Sequence, residues 1–251
     1  MATSQVYLEQ LRRSFAIAKK DIRVYYSKGP VVISGILFPA SLFLAFCMGR
    51  HMSMSFLIPG LLAITLLFTA TAVSPVVAPW ETMMRTLERL VSCPVVVSTI
   101  IFGDMLASSI FGVAISIVPI LVGLVAGVNM LHPFILALGI ILSASCFSSL
   151  GLIFSSPPTS MPATIQMLSS IVKFSLVFIS GIFIPLDELP AWGKGIASIS
   201  PLTYFTDLAR YCVQGNSQYP VFIDLVVILA FTVLFLVVAI KLHERNLPKR
   251  F

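Results

Sequence analysis

Four cysteines, three histidines and ten acidic residues are the groups in this sequence that could act as nucleophiles, metal ligands or acid–base catalysts. Their spacing favours none of these roles. Cys47, Cys93, Cys146 and Cys212 form no CxxC pair, and His51, His132 and His243 are scattered, so no metal centre or redox motif is expected. No GxxxxGK[ST] loop is present, so the chain cannot cradle ATP phosphates by that route. No cluster of acids and histidines has the spacing of a proton relay. Two placements of charge remain. Glu81, Arg85, Glu88 and Arg89 are grouped in one hydrophilic stretch, with Glu81 and Arg85 at the i,i+4 spacing of a helical ion pair. Lys173 stands alone between Ile171, Val172 and Phe174. A lysine at the centre of a membrane helix costs roughly 2.5–3.5 kcal/mol to insert. It is therefore expected to face a neighbouring span, a second copy of the chain or a substrate path, with a backbone carbonyl or polar side chain as partner. Snorkelling to the interface is the alternative.

The elements that must position these charges follow from composition. Of 251 residues, 58% are hydrophobic and only 10% charged, with a mean hydropathy of +1.01. So few charges cannot cover a water-soluble surface. The fold expected is an all-α polytopic membrane protein of one transmembrane domain spanning residues 1–251. Apolar blocks at 31–49, 56–79, 101–127, 133–154, 164–185 and 221–240 are each long enough to cross a bilayer. Residues 105–172 contain no Asp, Glu, Lys or Arg, and the polar or Pro-containing breaks near 129–133 and 155–162 divide that run.

Lysine and arginine set the orientation. Arg12, Arg13, Lys19, Lys20, Arg23, Lys28, Arg85, Arg89, Lys241, Arg245, Lys249 and Arg250 fall on one side of a six-span arrangement; Arg50, Lys194 and Arg210 fall on the other. Both termini are thus expected in the cytoplasm of a plasma-membrane protein. The net charge of +6 is explained by topology, and no basic face with interleaved aromatics points to nucleic acid. The first 30 residues lack a continuous apolar run, so no cleavable signal is expected.

Three hydrophilic or broken segments connect the spans. Leu8, Leu11, Phe15, Ala18, Ile22 and Tyr25 are spaced as one helical stripe. They predict an amphipathic interface helix over 1–29 with its apolar face on lipid. The stretch 80–100 predicts a short amphipathic helix with Met83, Met84, Leu87 and Leu90 on one face, ended by Pro94. It either packs on the bilayer and spans or docks a soluble subunit. Segment 186–220 is too apolar for an ordinary loop, and its breaks at Pro190 and Ser200-Pro201 fit two short helices dipping back into the outer leaflet. Trp192, Tyr204, Tyr211 and Tyr219 suit an interfacial belt there.

Two blocks carry a family resemblance. Thr86-Leu87-Glu88-Arg89-Leu90-Val91-Ser92-Cys93-Pro94-Val95 resembles the TLE-x-LL-x-sPv signature of type-2 ATP-binding-cassette (ABC) transporter permeases. The stretch from Ser180 to Arg210 is similar to that family's second block, through Gly181, Pro185, Leu189, Pro190, Trp192, Pro201, Leu202, Thr203, Tyr204 and Arg210. The sequence departs from the first block's usual lead-in, E-x-E-x-G. Glu81 matches the first acid, Met83 replaces the second, and Arg85 stands where glycine is usual. Asp104 follows Gly103 where the family often has lysine. The resemblance implies six spans and re-entrant outer helices between the fifth and sixth. It implies a transport subunit rather than an enzyme, most similar to drug-resistance and polysaccharide or lipid exporter permeases. It also implies pairing with a second permease copy and with two ABC ATPase subunits, which would hold ATP and Mg, while this chain binds no cofactor. Glu81, Arg85, Leu87, Glu88 and Arg89 would then lie at the ATPase contact. A stand-alone secondary transporter or channel is the other class considered; it would need an inverted repeat or paired broken helices, and no clear repeat relates the two halves.

Overall fold

A computed structural model describes residues 2–49, 53–183 and 190–250. Among these residues the secondary structure is entirely helical. Four helices are long and apolar enough to cross a membrane: Val97–Val125, Pro133–Phe154, Pro162–Ile179 and Val221–Lys249. In chain order the α-helices are α1 Ala2–Asp21, α2 Gly29–Gly49, α3 Met54–Ala70, α4 Val77–Met83, α5 Thr86–Val91, α6 Val97–Val125, α7 Pro133–Phe154, α8 Pro162–Ile179, α9 Ala191–Ala197, α10 Pro201–Gln214 and α11 Val221–Asn246. A π-helical turn, Ile22–Tyr26, continues α1.

The main core lies where α3, α7, α10 and α11 meet, around Leu66, Leu67, Phe147, Phe205, Leu208 and Ile228. Helix α10 is the innermost element, buried at nearly every position from Pro201 to Val213. Pro201 opens it at the first turn, where a missing N–H costs nothing, and Gly215 closes it at φ +78°. Helix α8 is the opposite case. It buries only Ile165, Ser169, Lys173 and Val177, a single stripe of four-residue spacing, and leaves its other faces outward.

Two expected elements are cut differently. The block 56–79 does not form one span. Helix α3 stops at Ala70, and the chain turns before α4. The Thr71 and Ser74 hydroxyls bond back to the carbonyls of Leu67 and Ala70 at 2.5 and 3.0 Å. Pro75 then has no N–H to continue the ladder. The single helix expected over 81–91 is also divided, because Arg85 adopts φ 53°, ψ 26° between α4 and α5. This is a left-handed conformation for a residue with a Cβ.

Helix α6 is 29 residues long, or about 43 Å at 1.5 Å per residue, against a hydrocarbon layer of about 30 Å. Its first turns can therefore project beyond the layer, and α1 docks along them. Contacts of α1, α4, the turn after α7 and the end of α11 place the basic residues of those segments at one end of the bundle. The 131–132 connection, the end of α10 and the start of α3 meet at the other.

Candidate functional site

At the basic end α1 lies against α6 through a polar seam. The Thr99 hydroxyl donates to Gln10 Oε1 at 2.7 Å, and the Ser14 hydroxyl donates to the Thr99 carbonyl at 3.0 Å. The helices touch at Gly103, where an added Cβ would come within 2.9 Å of the Ser14 carbonyl and 2.8 Å of Ile17. The buried residues of α1 and its extension include Ser14, Ile17, Ala18, Asp21, Tyr25 and Tyr26. Leu11 and Phe15, expected on the same stripe as Ala18, remain largely exposed at its edge. The helix thus gives one side to α6 and keeps Leu11 and Phe15 outward.

One turn further on, the Lys20 ammonium donates to the Glu81 carboxylate and lies 3.0 Å from Asp21. Glu81 is only 3% exposed. Burial works to lower the pKa of Lys20, but the carboxylates of Asp21, Glu81 and Asp104 outweigh it and raise it above the usual lysine value. Burial pushes Glu81 above the usual carboxylate range, against the opposite pull of Lys20. The ion pair expected between Glu81 and Arg85 on one helical face is therefore replaced. Arg85 lies beyond the end of α4, and the inward-facing partner of Glu81 comes from α1.

The five residues of this loop divide by exposure. Glu81 and Leu87 are buried, while Arg85, Glu88 and Arg89 face outward. Beside them Met83 and Met84 are 52% and 60% exposed. The Arg85 turn places two flexible thioethers next to mixed charges on one outward surface. Flexible thioethers beside mixed charges form an exposed surface of adaptable shape, with Glu81 and Leu87 buried behind it.

At the opposite end, residues far apart in the second sequence block come together. The Arg210 guanidinium donates to the carbonyls of Gly181 at 2.8 Å and Ile182 at 3.3 Å, and lies 4.6 Å from the Phe56 ring centre. Gly181 sits at φ +71°, a conformation that favours glycine. The Tyr204 hydroxyl donates to the Ser198 carbonyl at 2.8 Å, and Thr203 to Ala197 at 2.7 Å. These bonds tie α10 to α9. Tyr204 is accordingly buried rather than outward. Trp192 on α9 is 72% exposed, and Pro190 immediately precedes that helix. Pro185 lies outside the described residues.

Midway along α8, Lys173 is 4% exposed. Its ammonium donates to the Thr71 carbonyl, which the end of α3 leaves free, at 3.4 Å and lies 5.4 Å from the Phe68 ring centre. Phe38, Phe68 and Phe174 form an aromatic group around this point. Among the described residues no carboxylate pairs with Lys173.

In the sequence Lys20 and Arg250 stand only as basic residues that set orientation. Lys20 holds Glu81, and Arg250 holds Thr82. Residues 11–213 match the model of a family described as ABC-2 type transporter. The chain is 25% identical over 194 residues to the inner membrane transport permease YadH of Escherichia coli K12, covering 77% of this chain and 75% of that protein. It is 27% identical over 202 residues to Nodulation protein J of Rhizobium leguminosarum bv. viciae, covering 78% and 76%.

Proposed function

The chain belongs to the ABC-2 type transporter family, and on that premise we propose that it is the permease half of an exporter driven by ATP hydrolysis in a separate subunit. Two permease copies and two ABC ATPase subunits make the working unit. The path they open serves an amphipathic, drug-like or lipid-linked substrate, as the resemblance to drug-resistance and polysaccharide exporters suggests. ATP and Mg reside in the ATPase. The chain crosses the plasma membrane six times, with α2 and α3 supplying the first two spans and α9–α10 the re-entrant outer segment. Both termini are cytoplasmic.

The observation that carries this reading is the outward face of Met83, Met84, Arg85, Glu88 and Arg89. It is set on two helices of seven and six residues, too short to be stable alone. Such helices are held by what they pack on. Glu81 ties α4 to α1, so a push on the exposed face is transmitted to the membrane helices rather than absorbed locally.

A charge reversal at both Glu88 and Arg89 tests this. Single rim charges are worth only about 0.2–1 kcal/mol, so E88K/R89E is the informative variant. Co-expressed with its ATPase and captured through the permease, it should insert normally and retain at least tenfold less ATPase than wild type. Normal capture together with normal transport would remove the docking role.

A further inference from the structure

The end of α11 and the turn after it present His243, Asn246 and Arg250 to one target. His243 Nε2 lies 3.0 Å from the Ser155 hydroxyl, while its Nδ1 contacts the Ala239 carbonyl at 2.8 Å. The Asn246 amide donates to the Ser156 carbonyl at 3.1 Å. Arg250 Nη2 donates to the carbonyls of Ser155 and Pro157, at 2.5 and 2.9 Å. Three consecutive carbonyls just beyond α7 are thereby bonded. Carbonyls at the end of a helix lack intrahelical partners and carry partial negative charge. Pro157 and Pro158 have no N–H to give these carbonyls, and of the three the Pro157 carbonyl also accepts from the Thr159 N–H at 2.8 Å.

Arg250 alone reaches further. Its Nη1 donates to the Thr82 hydroxyl of α4 at 2.9 Å. That hydroxyl in turn donates to the Ala78 carbonyl at 2.7 Å, so donor and acceptor roles are consistent along the chain. Adjacent residues of α4 are thus gripped by different elements. Glu81 is held by Lys20 from α1, and Thr82 by Arg250, whose other nitrogen is fixed to the turn leading into α8. A lysine presents one compact charge where arginine presents a rigid planar fork.

We propose that Arg250 is a positioning residue that joins the docking helix α4 to the α7–α8 turn, giving displacement of α4 a second route into the membrane, toward α8 and Lys173, independent of the route through α1. The tie is a property of this chain; its role in transmission rests on residues 83–89 being the ATPase-docking face.

Hydrogen–deuterium exchange resolved by mass spectrometry, on the full chain in lipid nanodiscs, tests the tie. Arg250→Gln should raise exchange at least tenfold in segments 78–84 and 155–161 together, with the spans unchanged. Arg250→Lys should keep the protection of 155–161, where a point charge still meets the carbonyls, and lose that of 78–84. Unchanged exchange at 78–84 in both variants overturns the tie. In the complex with the co-expressed ATPase, ATP should alter exchange at 155–161 in wild type. In Arg250→Gln that response should be lost while ATPase capture stays normal. A response that persists in Arg250→Gln overturns the transmission role. Failure of the docking reading shows separately, as wild-type permease that captures no ATPase, and it removes the transmission role while the tie stands or falls on the first measurement.

Discussion

Arg85, at φ 53°, occupies a left-handed conformation that a Cβ disfavours by roughly 1–2 kcal/mol. Its side chain is exposed, so little is lost by removing it. Arg85→Gly should therefore raise the thermal unfolding midpoint of the purified permease, by the equivalent of about 1 kcal/mol. A lower midpoint would mean the guanidinium makes a contact that outweighs the strain. Lys173 poses the converse question, of a costly charge retained. Lys173→Met keeps an apolar stem of similar length and removes a charge whose insertion costs about 2.5–3.5 kcal/mol. Membrane insertion should be intact or improved, while transport by the assembled complex falls. Full transport in the Met variant would reduce Lys173 to a tolerated passenger. Only part of this residue-level picture was legible in the sequence. Lys173 stood out because nothing charged surrounds it. The inward turn of Glu81 did not, because local spacing offers Arg85 as its partner while the true partner is sixty-one residues away. Gly181 and Arg210 could be read as separate motif positions, but the bond between them is a product of packing.

Among the elements, α1 was recognisable as amphipathic from apolar periodicity, and α7 and α11 from length and hydropathy, whereas the one helix expected at 81–91 takes in only the end of α4 together with α5. Periodicity could not say which side of α1 faces protein. Its apolar stripe is wide, and the partner surface is created by Gly103, a residue without a side chain on a distant helix. The division at Arg85 was hidden for a related reason, since left-handed turns are announced by glycine and here the glycine is missing. The role of Gly103 gives a direct check on how α1 is held. Gly103→Ala places a methyl group against the Ser14 backbone carbonyl and the branched Cβ of Ile17, neither of which is a flexible chain end. Overpacking of this kind typically costs about 1–3 kcal/mol. Limited proteolysis should cut residues 8–20 faster in the Ala variant, with α6 still inserted. Wild-type resistance would show that α1 is held elsewhere than along this seam.

At the scale of the molecule, a deep core around α10 anchors the end opposite the basic one, while α8 packs on the chain through a single stripe. Between these, the short helix α4 is tied from two directions, by Lys20 to α1 and by Arg250 to the α7–α8 turn. The arrangement suits a lever whose outer surface receives a push and whose inner bonds distribute it. In the proposed complex the surface at Met83–Arg89 meets the ATPase. Site-specific photo-crosslinking tests this, with a benzoyl-phenylalanine placed at Met84 and, as a control, at Trp192 of the far end, which is also exposed. In cells expressing both subunits, the probe at position 84 is expected to capture the ATPase, and the probe at 192 is expected to capture none. A crosslink to the ATPase from 192, or its absence from 84 in a complex that still transports, would place the ATPase contact elsewhere.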